Sequence, residues 1–587
     1  MRAIKIFVLA LACGALGAGA SAATTKHHAK RMAMAPPPAA AAKPGCEYRD
    51  INVDPKDAVD FQNAPVIRDQ GGTLNATLTI AYTRAKIAGC DVELRTYNGA
   101  LVGPTLRVTP RTTMNVRLNN AIRPKMANPC PMAGHSNTPG MGFDITNLHV
   151  HGLHVSPQGN SDNVFVQVCP PGTQGPQNFP FQFKLGENGS LQPAGTNWYH
   201  PHLHGSTALQ VASGAEGALI VEGGQDALPQ IAAARQQVMV LQEISYNDQG
   251  VIEDYNNIGD WARYKRSITV NGQVQPIIRM RPGEVQYWRL IDAGISESML
   301  LYAYDAQTGE RVALNEIATD GNALGHIDAW KSKVLDLEPG YRSDVLFKAP
   351  MQAPGEKRYY YLSTAAVTGT SRLQALIPGI DDANPAAVRQ AYDTVDPKQN
   401  VLFIEVSGDA NDMALPSDAQ LAPFRTFKDI TDDEIAGQPV QRVVFASGKR
   451  ICDPSQPAQP CTTPCSSGDN CANRFMVNDL PYTDLVTRTL KLGTASEWDV
   501  STDPTSGSAQ HPFHIHVNPF QMTRIGPDGR PEKVWKDTVL VTAAEHTPDN
   551  PLKLRSRYED FDGKFVMHCH ILNHEDKGMM VNVEIVK

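Results

Sequence analysis

Short apolar-rich runs recur along the chain between turn signals: TLNATLTIAYTRAKI, GPTLRVTP, TMNVRLNN and GALIVEG, then QVMVLQEISY, RSITVNG and PIIRMRPGEVQYWRLIDAG, then NRFMVNDLPY and RTLKLGTASEWDVS. This is the cadence of β-sandwiches, not of βαβ units. A loose repeat runs through it. VNGQVQPIIRMRPGEVQYWRL and VNDLPYTDLVTRTLKLGTASEWDV both read Val-Asn, a turn, a strand, Gly, and a strand with Trp; YNGALVGPTLRVTPRTTMNVRL is a third version. The expected architecture is all-β, with three consecutive homologous domains at 46–225, 226–400 and 401–587.

Composition agrees. Only 19% of the 587 residues are charged, and Gly and Pro are abundant, as suits strands joined by many turns. The net charge of −8 and the absence of any nucleic-acid motif exclude a nucleic-acid partner.

Residues 1–22 read as a signal peptide: Arg2 and Lys5, a short apolar run, then Ala20, Ser21 and Ala22 as a small-residue cleavage site. The run is too short and too Gly/Ala-rich for a membrane span, and the residues before Cys13 fit a lipidation signal poorly. Residues 23–45 are Pro/Ala-rich and read as a disordered linker, with His27 and His28 in a solvated tail. The expected location is periplasmic or secreted. Of ten Cys, setting aside Cys13 and Cys569 leaves eight, an even number that suggests disulfides in an oxidising compartment. Cys452, Cys461, Cys465 and Cys471 crowd into one Pro/Ser-rich stretch without a C-x-x-C and are expected to form two disulfides.

The histidines carry the chemistry. They gather in HVHG (His149, His151), HPHLHG (His200, His202, His204), HPFHIH (His511, His514, His516) and HCHILNHEDKGMM (His568, His570, His574). Residues two apart in a strand share a face. The pairs 149/151, 200/202, 514/516 and 568/570 therefore suit a multinuclear metal site. By the same parity Cys569 points away from His568 and His570, and His511 turns away from His514. With His574 and Met579, in a loop beyond the strand, they form a second site. Two His, a thiolate and a weak axial Met suit blue copper. Zinc accepts Cys and His as well, but the Met and the adjacent eight-His site favour copper. The H-C-H order lets one strand couple two sites on its two faces.

These four motifs resemble those of the multicopper oxidases. The resemblance runs from about residue 46 to the end and implies three cupredoxin-like Greek-key domains and four copper ions per chain. It implies a type 2 ion on His149 and His514, and paired type 3 ions on His151, His200, His202, His516, His568 and His570. The type 1 ion would lie on His511, Cys569, His574 and Met579, family spacing favouring Met579 over Met580. The trinuclear cluster would lie between the first and third domains, and electrons would enter through His574. His204 would stand behind the ligands, since the family uses two His in that motif.

Reducing dioxygen to water consumes four protons, so carboxylates near the cluster must relay them. Glu575 follows His574, where related bacterial enzymes have an acid. Asp162 follows the first His pair, at an offset that differs from the commonest pattern. His154 reads as a hydrogen-bonded loop residue, and His135, His326 and His546 as ordinary surface residues. Met126, Met132, Met141 and His135 sit in an insertion that falls short of a Met-rich cuprous-oxidase insert.

The expected partners are dioxygen and a small organic reductant or metal ion, for a monomeric chain with no membrane span. The expected function is laccase-like oxidation. Alternatives are a cuprous oxidase in copper tolerance and a non-catalytic copper-binding or scaffold protein on the same fold. A copper nitrite reductase would lack the eight-His cluster.

Overall fold

Alternation becomes burial in strand Thr73–Ile87, where Leu74, Ala76, Leu78 and Ile80 are buried and the residues between them are not. The computed structural model describes Cys46 and residues 52–124, 130–131, 142–190, 192–252, 265–331, 334–365, 398–450, 472–506 and 510–587. The leader, the linker, the Met126/Met132/Met141/His135 insertion and Cys452, Cys461, Cys465 and Cys471 lie outside these residues. The described residues form six sheets, falling into three pairs in chain order. Each pair closes over its own apolar core. The first core includes Leu78, Leu118 and Phe183, and the second Trp288 stacked on Phe347. The third includes Trp498, Phe513, Cys569 and Met579.

The repeat has a physical basis. Each copy turns on an Asn with positive φ, at Asn98, Asn271 and Asn478, followed by Gly99, Gly272 and Asp479, also positive. This backbone suits Asn, Asp and Gly. Each Asn side chain also bridges a neighbouring strand. Asn98 accepts from the N–H of Thr79 and donates to Thr77 O. Asn271 does the same with Val240 and Val238, and Asn478 with Val444 and Arg442. The bridged strand runs parallel to a later one in all three copies: Thr73–Ile87 with Thr113–Asn120, Arg235–Tyr246 with Val285–Asp292, and Gln441–Arg450 with Thr494–Thr502.

Two disulfides, Cys46–Cys90 and Cys130–Cys169, account for four of the expected eight cysteines, and Cys569 is a buried free thiol. No helix among the described residues is long and apolar enough to cross a membrane.

Candidate metal centre

Two antiparallel strand pairs, one from the first sandwich and one from the third, carry the histidine clusters. Strand His149–His151 pairs with Gly195–His200, placing His149 opposite His200 and His151 opposite Trp198. Strand Gln510–Ile515 pairs with Gly563–Cys569, placing His514 opposite His568 and Phe513 opposite Cys569. His202, His516 and His570 lie just past strand ends. All eight rings are buried. His149 stacks on His516 and His151 on His514, each pair with centroids 3.9 Å apart. Ring nitrogens converge in sets: His151, His200 and His570; His202, His516 and His568; and His149 and His514 with His151.

The second site forms on the other face. His511 Nδ1 lies 3.5 Å from Cys569 Sγ, His574 Nδ1 lies 3.8 Å from it, and the two nitrogens are 3.3 Å apart. His574 is not in a loop, as its position past the strand suggests, but in the short helix Leu572–Asp576. The chain closes with Met579 donating its N–H to His574 O and Cys569 donating its own to Met579 O. Met579 shares the apolar cluster of Cys569, whereas Met580 packs with Val164, Tyr482 and Val566. His574 is 9% exposed, and Phe475 stacks on its ring.

Carboxylates stand behind the rings. Both oxygens of Asp162 lie 3.0 Å from His149 Nδ1, and Val150 donates its N–H to Oδ1. Glu575 Oε1 lies 3.5 Å from His202 Nδ1 and accepts from Thr207 Oγ1 at 3.3 Å, while Oε2 lies 3.8 Å from His568 Nδ1. Burial pushes Asp162 up to about 8, against the Val150 hydrogen bond. Burial, helped by neighbouring Asp576, raises Glu575 well above the usual carboxylate range. Asp576 caps the turn at Gly205–Ala208 through three N–H groups, yet burial still lifts it to about 7.

Two segments match multicopper oxidase family models, residues 143–226 and 455–587, each containing two of the His clusters. The chain belongs to the multicopper oxidases. It is 24% identical over 508 residues to a multicopper oxidase of Staphylococcus aureus, covering 84% of this chain and 83% of that one. It is 22% identical over 538 residues to a laccase of Bacillus stratosphericus, covering 84% and 91%. In fold it is similar to the multicopper oxidase of Campylobacter jejuni, described as a metallo-oxidase (TM-score 0.63, 20% identity, 92% and 99% covered). The three sandwiches are cupredoxin-like and the protein is an oxidoreductase.

The residues fit the copper that this multicopper oxidase requires. Burial, then the surrounding imidazoles, drives His149, His202, His516 and His570 well below the ordinary histidine range. Burial takes His200 down to about 3 and His514 to about 4. Neutral rings are ligands rather than cations. His568 donates from Nδ1 to Cys569 O, so its Nε2 is bare. That atom lies 3.0 Å from His202 Nε2 and 3.4 Å from His516 Nε2. Three ring nitrogens so close, one of them a bare lone pair, suit a shared cation. Around Cys569, burial raises the thiol, so a thiolate there needs a cation as well.

The remaining histidines sort differently. His154 bonds Val517 O and Asp560, each at 2.7 Å, as expected of a loop residue. His204 faces Tyr482, with ring centroids 4.5 Å apart. His326 is not an ordinary surface residue. It is half-buried between Asp328 (3.3 Å) and Glu532 (3.0 Å), beside Arg524, which also binds Glu316. Three carboxylates around one arginine draw a second cation to that place. His546 is half-buried, and burial lowers its pKa.

Asp537 and Arg342 have no motif to announce them. Asp537 Oδ1 lies 3.1 Å from His151 Nε2 and accepts from Arg342 and Thr538. Burial raises the Asp537 carboxyl, but the Arg342 charge more than offsets this and holds it below the usual range.

Proposed function

We propose that the protein is an exported, monomeric, laccase-like oxidase. It takes single electrons near His574 from a phenolic or aromatic donor, or from a metal ion such as Cu(I) or Mn(II). At the His cluster it reduces dioxygen to water. The proposal includes domain limits at 46–225, 226–400 and 401–587, and four copper ions. His149 and His514 hold one ion; His151, His200, His202, His516, His568 and His570 hold a pair; and His511, Cys569, His574 and Met579 hold the fourth.

One observation supports this reading most. Strand Gly563–Cys569 ends with His568 turned to the eight-ring cluster and Cys569 turned to His511 and His574. Bound copper would supply the one-electron steps and the reduction of dioxygen. The chain supplies the rest. The His568–Cys569–His570 backbone links the two faces by a few covalent bonds. Phe475 and the surrounding apolar core keep water from Cys569 and leave an edge of His574 near the surface. Glu575 and Asp162 hold protons beside rings of the cluster. A narrow cleft lined by Leu153, Phe427, Asn518, His149 and His514 leads to the cluster.

The test is dioxygen uptake by the copper-loaded protein with a phenolic donor, compared with Cu(I) as donor. Uptake with a copper-loaded protein of four ions supports the reading. No uptake with any phenol, aromatic amine or reduced metal ion would leave a copper-binding scaffold.

A further inference from the structure

The middle sandwich contributes no ring to the cluster, yet it touches it. We infer that Arg342 of the middle sandwich, through Asp537, is a positioning pair that sets which nitrogen of His151 faces the cluster. The inference rests on the copper reading above and adds a role for residues outside its ligand set.

Asp537 sits where the chain passes from strand Pro531–Lys536 to Thr538–Thr542, which belong to different sheets. Both prongs of the Arg342 guanidinium reach it, NH1 at 2.8 Å from Oδ1 and NH2 on Oδ2. A carboxylate gripped by such a fork is an acceptor only. His151 Nε2, 3.1 Å from Oδ1, must therefore carry the proton. That leaves Nδ1 bare; it has no protein partner, and the ring belongs to the set with His200 and His570. The backbone of Asp537 does the converse for the stacked neighbour. Its carbonyl accepts from His514 Nδ1 at 2.8 Å, leaving His514 Nε2 without a partner. One residue thus orients two stacked rings from two sandwiches and presents opposite nitrogens.

Asp162 stands in the same relation to the other stack, 3.0 Å from His149 Nδ1 and 4.0 Å from His516 Nδ1. Among the described residues no Arg or Lys pairs with Asp162. The two carboxylates are alike in place and different in company.

Arg342 is itself pinned to all three sandwiches. It donates from Nε to Thr196 O, in the strand that carries His200, from NH1 to Gly340 O, and from its backbone N to Asp320. Lys536 also pairs with Asp320, so two cations meet two carboxylates and leave His151 nothing to neutralise. The Gly of HVHG has a reason here. A Cβ on Gly152 would lie 2.4 Å from Arg342 NH2.

The test is copper binding, not turnover. In Asp537→Asn, affinity for the cluster copper should fall by roughly 10–100-fold, the usual cost of losing a partner behind a metal ligand. It is read by chelator competition against the near-ultraviolet band of paired copper, with the blue band of the Cys569 site as internal reference. Arg342→Lys keeps the charge but not the fork and should show a smaller loss of the same kind. Asp537→Asn leaves Arg342 buried without its partner, so Asp537→Asn/Arg342→Met removes both charges. If ring orientation is what counts, the double variant folds, stays blue and remains weak at the cluster. Recovery of wild-type cluster affinity in the double variant, or unchanged affinity in Asp537→Asn, overturns the inference. A wild-type protein that never shows the paired-copper band sinks the copper reading instead.

Discussion

Glu575 lies with Oε1 3.5 Å from Nδ1 of His202, on the side of that ring turned away from the nitrogens of His516 and His568. The same carboxyl reaches towards His568, so one acid backs two rings of one set. It therefore sits with the eight-ring cluster, although its sequence neighbour His574 sits beside Cys569. Glu575→Gln should leave anaerobic bleaching of the blue colour near its normal rate. Reoxidation by dioxygen should slow by roughly 10²-fold, the low end of general-acid contributions. Stopped-flow mixing of the bleached enzyme with dioxygen measures this. If both half-reactions run at wild-type rates, Glu575 is a bystander and Asp162 is the better candidate. If only bleaching slows, Glu575 serves electron entry.

Cys569→Ser removes the only thiol near His511 and His574 among the described residues while nearly keeping the side chain's shape. The variant should be colourless and inactive yet still take up copper at the cluster. Copper analysis with optical and paramagnetic resonance spectra decides it. A variant that stays blue contradicts the placement of the ligand set.

Gly340 approaches the cluster from the middle sandwich. It has φ +91, and a Cβ there would stand 3.0 Å from His570 and 3.1 Å from His151 ring carbons. Gly340→Ala should destabilise the fold by about 1–3 kcal/mol, the usual range for overpacking. It should also weaken cluster copper while sparing the blue site. Thermal unfolding and copper counting check this, and wild-type values in both would mean that the loop gives way freely.

His326 provides a pH signature remote from any metal ligand. The hydrogen bonds to Asp328 and Glu532 raise its pKa to about 10, against an ordinary value near 6.5. The folded state therefore binds this proton more tightly than the unfolded one. The stabilisation is fully present below pH about 6.5 and is lost as pH rises towards 10. The melting temperature of the wild type should exceed that of His326→Gln most at the acidic end, and the gap should close by pH about 10. A gap that stays constant over that range would show a proton held no more tightly than in the unfolded chain.

The convergence of the histidines was legible in part from the strand pleat, which holds His149 and His151 in one strand, while His202, His516 and His570 lie just past strand ends. Two-residue spacing put His568 on one face and Cys569 on the other, as parity requires. The triplicated Val-Asn or Tyr-Asn turn was legible because its backbone accepts few residue types. Asp537 and Arg342 were not, because their roles arise only when three sandwiches meet, and WKDTV reads as an ordinary strand junction. His326 looked like a surface residue for the same reason: Glu532 and Arg524 come from a later segment. The helix at Leu572–Asp576 is a single short turn, too brief for periodicity to reveal.

The two centres differ in how much of the chain they need. The residues that converge on Cys569 all lie within the last sandwich, whereas the cluster takes half its rings from the first. Partial opening between sandwiches needs less free energy than global unfolding. Parting the first sandwich from the third would break the cluster outright; at the Cys569 site it would free only the outer face of the helix Leu572–Asp576, which Asp576 ties to Gly205–Ala208. During heating, turnover should therefore vanish before the colour does. A blue preparation would then be evidence of an intact last sandwich, and it would overstate the fraction of working enzyme.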